Sequence, residues 1–150
     1  MEAGKHSYMA EATALLRAAH QVLDADPKIL EDPLALSLLG SDTEERIQAD
    51  LERMQREHLR GARAFAVMRS RFTEDALAEA VARGVGQYVV LGAGLDTFAY
   101  RNPFPEDELT VFEIDHPDTQ RWKLGRLDAA GVTPPANVHY LPVDFEKQSL

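Results

Sequence analysis

The sequence predicts an α/β fold built on a doubly wound parallel sheet, and three short apolar segments carry this prediction. Residues 88–91, 109–115 and 137–143 read as strands, and each one ends beside a glycine or an acidic residue. Helical patterns precede the first segment and separate the second from the third. Because right-handed crossovers join parallel strands, we expect the spatial order three, two, one.

The region before the first strand is helical in pattern. Apolar residues at helical spacing predict a helix over residues 10–23, a short turn or helix over residues 32–40, and a further helix that begins within residues 41–45. Gly61 is expected to break the helical pattern, because glycine is a poor helix former. A new helix is expected to follow and to lead into the first strand.

Two helices are expected to pack on the sheet. The first carries apolar residues every three or four positions, so we expect Met68 and Phe72 to belong to the core. The second is the crossover helix over residues 117–130, which proline opens. Its Lys123 and Arg126 are expected to face solvent.

The first strand and the turn after it form the main candidate site. An unbroken apolar run over residues 88–91 is typical of a strand buried on both faces, and Gly92 and Gly94 let the backbone approach a ligand closely. A dinucleotide fingerprint would have a third glycine where Thr97 stands. A carboxylate at Asp96 would repel a pyrophosphate but suit a sulfonium and an ammonium. The turn therefore favours S-adenosylmethionine over NAD(P).

Acidic residues stand at the carboxyl ends of the other two strands. Asp115 follows Gly94 by 21 positions, a spacing at which a strand-end acid reaches ribose hydroxyls, whereas Glu113 lies further back in the strand. An Asp or a His there could also cap the helix that begins at residue 117, and this role is compatible with ribose binding. Since the carboxyl ends of parallel strands meet at one edge of a sheet, Asp144 is expected to join the same crevice.

Six segments of the chain resemble the leucine carboxyl methyltransferase family, and more narrowly its bacterial branch of S-adenosylmethionine-dependent O-methyltransferases. The likeness covers nearly the whole chain and implies a Rossmann-like class I methyltransferase sheet. The segments are residues 17–18, 32–35, 69–72, 92–101, 112–117 and 143–145.

The resemblance implies where the methionyl part of the cofactor would bind. An arginine on the helix before the first strand holds the methionyl carboxylate in this family, and Arg69 matches it, with Arg71 as the competing choice. The backbone of Gly92, Ala93 and Gly94 would pass beside the methionyl part. These assignments are expectations from the resemblance.

The resemblance also implies a site for the nucleoside. Asp115 would accept hydrogen bonds from the ribose hydroxyls, and Asp144 and Phe145 would contact adenine through the carboxylate and a backbone amide. Phe145 stands where the family commonly has leucine.

The chain is shorter than members of that family, so it is expected to hold only the N-terminal half of the sheet. We divide it into a helical N-terminal segment, residues 1–85, and the first half of the cofactor-binding domain, residues 86–150. The strand over residues 88–91 would then have one unpaired flank. We expect the chain either to associate through that edge or to be only marginally folded, and to bind S-adenosylmethionine more weakly than a full-length relative.

Composition narrows the classes of function. The net charge of −9, from 25 acidic and 16 basic residues, argues against nucleic-acid binding. The chain has no cysteine, and its five histidines show no metal-ligand spacing, so no metal site is expected. No apolar segment is long enough for a membrane span or a signal peptide, which predicts a cytoplasmic protein. The histidines are His6, His20, His58, His116 and His139.

The expected activity is S-adenosylmethionine-dependent methyl transfer to a carboxyl or hydroxyl oxygen of a small molecule or peptide. The sequence identifies no catalytic residue and does not define the acceptor. Two alternatives stay open, namely an NAD(P)-binding oxidoreductase domain and a truncated methyltransferase remnant without activity.

Overall fold

The computed structural model describes residues 7–147. His6 and the end of the predicted second segment, residues 148–150, lie outside the described residues. The elements are α1 (Tyr8–Leu23), α2 (Leu34–Leu39), α3 (Thr43–Ala49), α4 (Leu51–Met54), α5 (Glu57–Val81), β1 (Gln87–Leu91), α6 (Phe98–Arg101), β2 (Thr110–Asp115), α7 (Pro117–Ala129) and β3 (Val138–Pro142).

The three strands form one parallel sheet in the order β1-β2-β3, so β2 is central. Val89 pairs with Phe112, and Phe112 pairs with His139. The predicted fold class and strand order are both confirmed. Parallel pairing places the carboxyl ends of all three strands at one edge, where α/β proteins bind their ligands.

The N-terminal helices pack around a small-residue core. The Ser7 hydroxyl accepts a hydrogen bond from the Ala10 amide and begins α1, two residues before the predicted start. Alanines on one side of α1 allow α2 and α5 to approach closely, and Leu95, from the turn after β1, joins this core at 2% exposure. The N-terminal helices therefore pack directly against the turn after β1.

The predicted break at Gly61 is wrong. Helix α5 runs without interruption for 25 residues, and Gly61 lies in its second turn. One glycine costs a helix only about 1 kcal/mol relative to alanine, and packing of α5 against α1 outweighs that cost.

The prediction that Met68 and Phe72 belong to the core is also wrong. Their side chains are 58% and 76% exposed. Helix α5 instead buries a different side, which carries Ala66, Val67 and Leu77, and Leu77 packs in the cluster beside the sheet. The apolar period of the sequence identified a helix correctly, but not the side that packs.

Strand β1 is not buried on both faces as the sequence predicts. Tyr88 and Val90 pack on the helix-covered face, together with residues of α5 and α6. Val89 and Leu91 point to the opposite face and are 49% and 58% exposed. Leu141 of β3 is also exposed on that face. The described helices thus cover one face of the sheet.

Helix α7 begins at a histidine cap. The Asp118 amide donates to Nδ1 of His116 at 3.2 Å, so His116 and not Asp115 caps this helix. Lys123 is buried against Glu113, so its predicted exposure is wrong. Arg126 is half-buried, with its guanidinium 5.8 Å from the Trp122 ring centre.

Within residues 7–147, no helix is both long enough and apolar enough to cross a membrane. The division of the chain near residue 85 stays a prediction.

Candidate functional site

The glycine turn after β1 is fastened to the end of β2. The amides of Gly92 and Ala93 both donate to the Ile114 carbonyl, at 2.8 and 3.2 Å. Gly92 and Gly94 have positive φ angles of 65° and 51°, a region that favours glycine. A Cβ on Gly94 would also lie 2.9 Å from the Cβ of Ala10. Glycine is therefore required at position 94 for both conformation and space.

Asp115 closes the turn from the end of β2. Its Oδ2 accepts from the Gly94 amide at 2.5 Å, and its Oδ1 accepts from the His116 amide at 2.6 Å. A carboxylate offers about four lone-pair positions, so each oxygen can accept another hydrogen bond. Glu113, two residues earlier, is buried on the helix-covered face. Asp115 is thus the strand-end acid available to a ligand.

A cavity of about 350 Å³ lies beside this turn and brings five of the seven predicted cofactor residues together. One wall is the glycine turn with the end of β1, and the opposite wall is one side of α1, including Ala10 and Thr13. The predicted residues that line the cavity are Arg69, Gly92, Ala93, Gly94 and Asp115.

Asp144 and Phe145 are not among the lining residues of this cavity. Oδ2 of Asp144 lies 3.6 Å from Nε2 of His116, the residue next to Asp115. The Lys147 ammonium beside Asp144 holds the pKa of that carboxyl below its usual value of 3.8. Both predicted residues follow β3, the strand furthest from β1, which explains their distance from the turn.

The two candidate arginines of α5 have different surroundings. Arg69 lines the cavity, with its guanidinium 5.9 Å from the centre of the Phe65 ring. Arg71 pairs with Asp75 on the exposed side of the helix, and this hydrogen-bonded pair raises the pKa of Arg71. The geometry favours Arg69 as the residue that meets a ligand.

Arg17 lines the same cavity, and the sequence assigned it no role. Its side chain is buried, with Nη2 donating to the Leu95 carbonyl at 2.5 Å and Nε donating to Oδ2 of Asp32 at 2.8 Å. The only signal in the sequence was the likeness of residues 17–18 to the family. The contact joins positions 78 residues apart, which no local pattern reveals.

The cavity combines charges of both signs. Arg17 and Arg69 are cationic, whereas Asp96 and Asp115 are anionic. Asp96 is held by its own turn, because its Oδ1 accepts from the Phe98 amide at 2.9 Å. A ligand with a carboxylate, an ammonium and ribose hydroxyls finds an oppositely charged or hydrogen-bonding partner for each group here. The residues present fit S-adenosylmethionine.

A larger cavity, of about 830 Å³, lies between the end of α1 and the start of α5. Its polar floor is His20, Asp24 and Arg63. These side chains form hydrogen bonds with one another. Asp24 accepts from Arg63 at 2.8 and 2.9 Å and lies 2.7 Å from Nδ1 of His20. None of the predicted cofactor residues lines this cavity. The candidate site is therefore the smaller cavity at the sheet edge.

Comparison with known proteins identifies relatives of this chain. A relative from Bacillus subtilis (strain 168), named "Putative S-adenosyl-L-methionine-dependent methyltransferase YktD", is 47% identical over 79 residues, or 53% of this chain and 26% of that protein. Two further relatives are each named "Putative S-adenosyl-L-methionine-dependent methyltransferase". The one from Mycobacterium sp. (strain KMS) is 43% identical, and the one from Mycobacterium marinum is 39% identical. These two alignments cover 77% and 89% of this chain, and 46% and 47% of the relatives.

This chain thus spans about half the length of these mycobacterial relatives or less. The sequence profile named for leucine carboxyl methyltransferase matches residues 10–150, which includes every residue of the cavity except Ser7 and Met9. The chain belongs to the leucine carboxyl methyltransferase family.

Proposed function

We propose that this chain is the cofactor-binding part of an S-adenosylmethionine-dependent methyltransferase that methylates a carboxyl or hydroxyl oxygen of a small molecule or peptide. The cavity beside the glycine turn carries the proposal. It places the Asp115 carboxylate, two arginines and the backbone of Gly92 and Gly94 around one space at the carboxyl ends of the strands. The family and the names of the relatives support the methyl-transfer class.

Each predicted residue has a proposed role. Arg69 pairs with the methionyl carboxylate, and the backbone at Gly92, Ala93 and Gly94 lies along the methionyl part. Asp115 accepts hydrogen bonds from the ribose hydroxyls through the lone pairs that Gly94 and His116 leave free. Asp144 and Phe145 stay proposed as adenine contacts, although they lie outside the lining of the cavity.

The bound cofactor supplies an electrophilic methyl group on a sulfonium. The protein therefore has to hold the acceptor in line with it, and orientation of this kind is worth effective molarities of about 10⁵–10⁸ M. An ionised carboxylate acceptor needs no base, whereas a hydroxyl acceptor needs one. We assign no catalytic base.

Calorimetry with S-adenosylmethionine, S-adenosylhomocysteine and NADH tests the proposal. We expect the two sulfur compounds to bind and NADH not to bind, because Asp96 lies in the cavity and Thr97 replaces the third glycine of a dinucleotide turn. Tighter binding of NADH would favour the oxidoreductase alternative. Binding of S-adenosylmethionine without methyl transfer to any acceptor would favour the inactive remnant.

The predictions about nucleic-acid and membrane partners rest on the amino-acid composition. With a net charge of −9, nucleic acids and anionic membrane surfaces are poor partners. A cytoplasmic location stays a prediction.

A further inference from the structure

Asp32, in the loop between α1 and α2, connects two arginines. Its side chain is completely buried, at 0% exposure. Oδ2 accepts a hydrogen bond from Nε of Arg17 at 2.8 Å. Oδ1 lies 3.6 Å from Nε of Arg101 and accepts from the Ala35 amide at 3.2 Å. One carboxylate therefore meets a guanidinium at each of its oxygens.

Both arginines reach from Asp32 to the turn that lines the cavity. Arg17 donates from Nη2 to the Leu95 carbonyl at 2.5 Å. Arg101 donates from Nε to the Thr97 hydroxyl at 3.1 Å. The two contacts lie on either side of Asp96, which itself lines the cavity. Asp32 is thus linked to both sides of Asp96, more than sixty positions away in the chain.

A second carboxylate completes the connection to α5. Glu74 accepts from both terminal nitrogens of Arg101, at 2.9 and 2.5 Å. Burial opposes the charge on Arg101, but the hydrogen bonds that Arg101 donates to Glu74 and the charges of Asp32 and Glu74 outweigh that effect and raise the pKa of Arg101. Arg101 therefore stays charged and depends on these carboxylates for its orientation.

We propose that Asp32 is a positioning residue for the cofactor turn. It orients Arg17 and Arg101, and through them it sets the backbone over residues 95–97 and the direction in which Asp96 faces the cavity. Without this charge, the buried guanidinium of Arg17 and the partly buried guanidinium of Arg101 would lose their common partner and would move to find another. This inference rests on the proposed function, because the ligand of the turn is taken to be S-adenosylmethionine.

The chain offers a matched control in Asp24. Like Asp32, Asp24 belongs to the helical segment and accepts from a buried arginine, Arg63, at 2.8 and 2.9 Å. Its side-chain partners, Arg63 and His20, lie outside the turn. Asp24→Asn and Asp32→Asn should each lower the melting temperature. Only Asp32→Asn should weaken S-adenosylmethionine binding, by tenfold or more in Kd when measured by calorimetry on the folded protein.

Amide hydrogen exchange without cofactor gives a second measurement. The amides of Gly94, Asp96 and Phe98 donate hydrogen bonds within the turn or to the residue next to it, so their exchange reports opening of the turn. The Val111 amide donates to the Asn137 carbonyl in the sheet, so its exchange reports global opening. We expect Asp32→Asn to accelerate exchange in the turn at least tenfold beyond any change at Val111. We expect Asp24→Asn to change both groups equally.

The outcomes separate the two proposals. If the wild-type chain binds no S-adenosylmethionine, the proposed function fails, and hydrogen exchange alone decides the role of Asp32. An unchanged Kd in Asp32→Asn, or exchange in the turn that rises no more than at Val111, overturns the inference. If Asp32→Asn does not fold, the same two measurements are made on Arg101→Lys. Lysine keeps the positive charge but cannot donate to Thr97 and Glu74 at the same time.

Discussion

Nζ of Lys123 lies 2.7 Å from Oε2 of Glu113, and both side chains are only 2% exposed. The Tyr100 hydroxyl donates to the same carboxylate oxygen at 3.1 Å and lies 2.9 Å from the Tyr140 hydroxyl. Oε1 of Glu113 has no partner among the described residues. This ion pair fastens the crossover helix α7 to the central strand β2, two residues before Asp115.

Removing one member of this ion pair should destabilise the fold strongly. Lys123→Met leaves the Glu113 carboxylate buried without its cation, so we expect a loss of about 3–5 kcal/mol in the free energy of unfolding. Urea denaturation at pH 7 measures it. The double variant Lys123→Met, Glu113→Gln should recover most of the loss, since no unpaired charge remains. A single variant as stable as the wild type would contradict a buried ion pair.

The same carboxylate predicts a dependence of stability on pH. Burial, which outweighs the attraction of Lys123, raises the pKa of Glu113 above its usual value of 4.5. Above that value the unfolded chain loses the proton while the folded chain keeps it, so this contribution to stability falls as pH rises through the folded pKa. Glu113→Gln should remove that part of the slope in urea titrations upward from pH 4.5. Identical slopes in both proteins would disprove the raised pKa.

Asp115 and Glu113 should respond differently to substitution. We expect Asp115→Ala to weaken S-adenosylmethionine binding by about 2–4 kcal/mol, because two charge-assisted hydrogen bonds to the ribose are lost. Glu113→Gln should leave the affinity nearly unchanged, since Glu113 faces Lys123 and not the cavity. Calorimetry on folded samples compares the two. The reverse pattern would transfer the ribose contact to Glu113.

Arg69 and Arg71 form a matched pair on one helix. Arg69→Gln should raise the Kd for S-adenosylmethionine about tenfold, the effect of losing roughly 1.4 kcal/mol from a charge-assisted contact. Arg71→Gln should leave it unchanged, because Arg71 pairs with Asp75 outside the cavity. S-adenosylhomocysteine, which keeps the methionyl carboxylate, should show the same difference. A larger effect of Arg71→Gln would make Arg71 the carboxylate ligand.

The outer edge of β1 should support self-association. The Gly92 amide donates to Ile114 of β2 and the Gly86 carbonyl accepts from Thr110, so alternation along the ladder leaves the Val89 and Leu91 amides on the outer edge. We expect sedimentation velocity to show association that salt strengthens, because salt screens the net charge of −9 on each copy.

A proline at the same position tests this edge. Val89→Pro removes an outer N–H without touching the bonds to β2, so it should abolish association, whereas Val89→Thr keeps that donor and should preserve it. A wild-type chain that stays monomeric at every salt concentration would refute the prediction.

The positions of the acidic residues and glycines were predictable from the sequence because they depend on strand ends. An apolar run followed by glycine or aspartate marks where a strand stops, and parallel strands stop at a common edge. Gly92, Gly94 and Asp115 accordingly lie together, as predicted. Asp144 shows the limit of that reasoning, because sharing an edge does not place a residue in the same cavity.

The side of each element that packs was decided by the tertiary structure alone. Met68 and Phe72 follow a correct helical period, yet the buried side of α5 is the one that carries Ala66 and Val67. Lys123 stands in a sequence that suggests a solvated helix face, yet it is buried because Glu113, ten positions earlier, supplies the opposite charge.

Residue patterns thus predict the three strands, the main helices and the position of Gly94 and Asp115 at one edge of a parallel sheet, but not the uninterrupted helix through Gly61. Only the packed fold places Arg17 in the lining of the cavity and brings Asp32 within hydrogen-bond distance of it. Secondary structure follows from propensity and periodicity within a few turns of chain. Ion pairs between distant segments form only when the packing of whole helices has brought their charges within reach of each other.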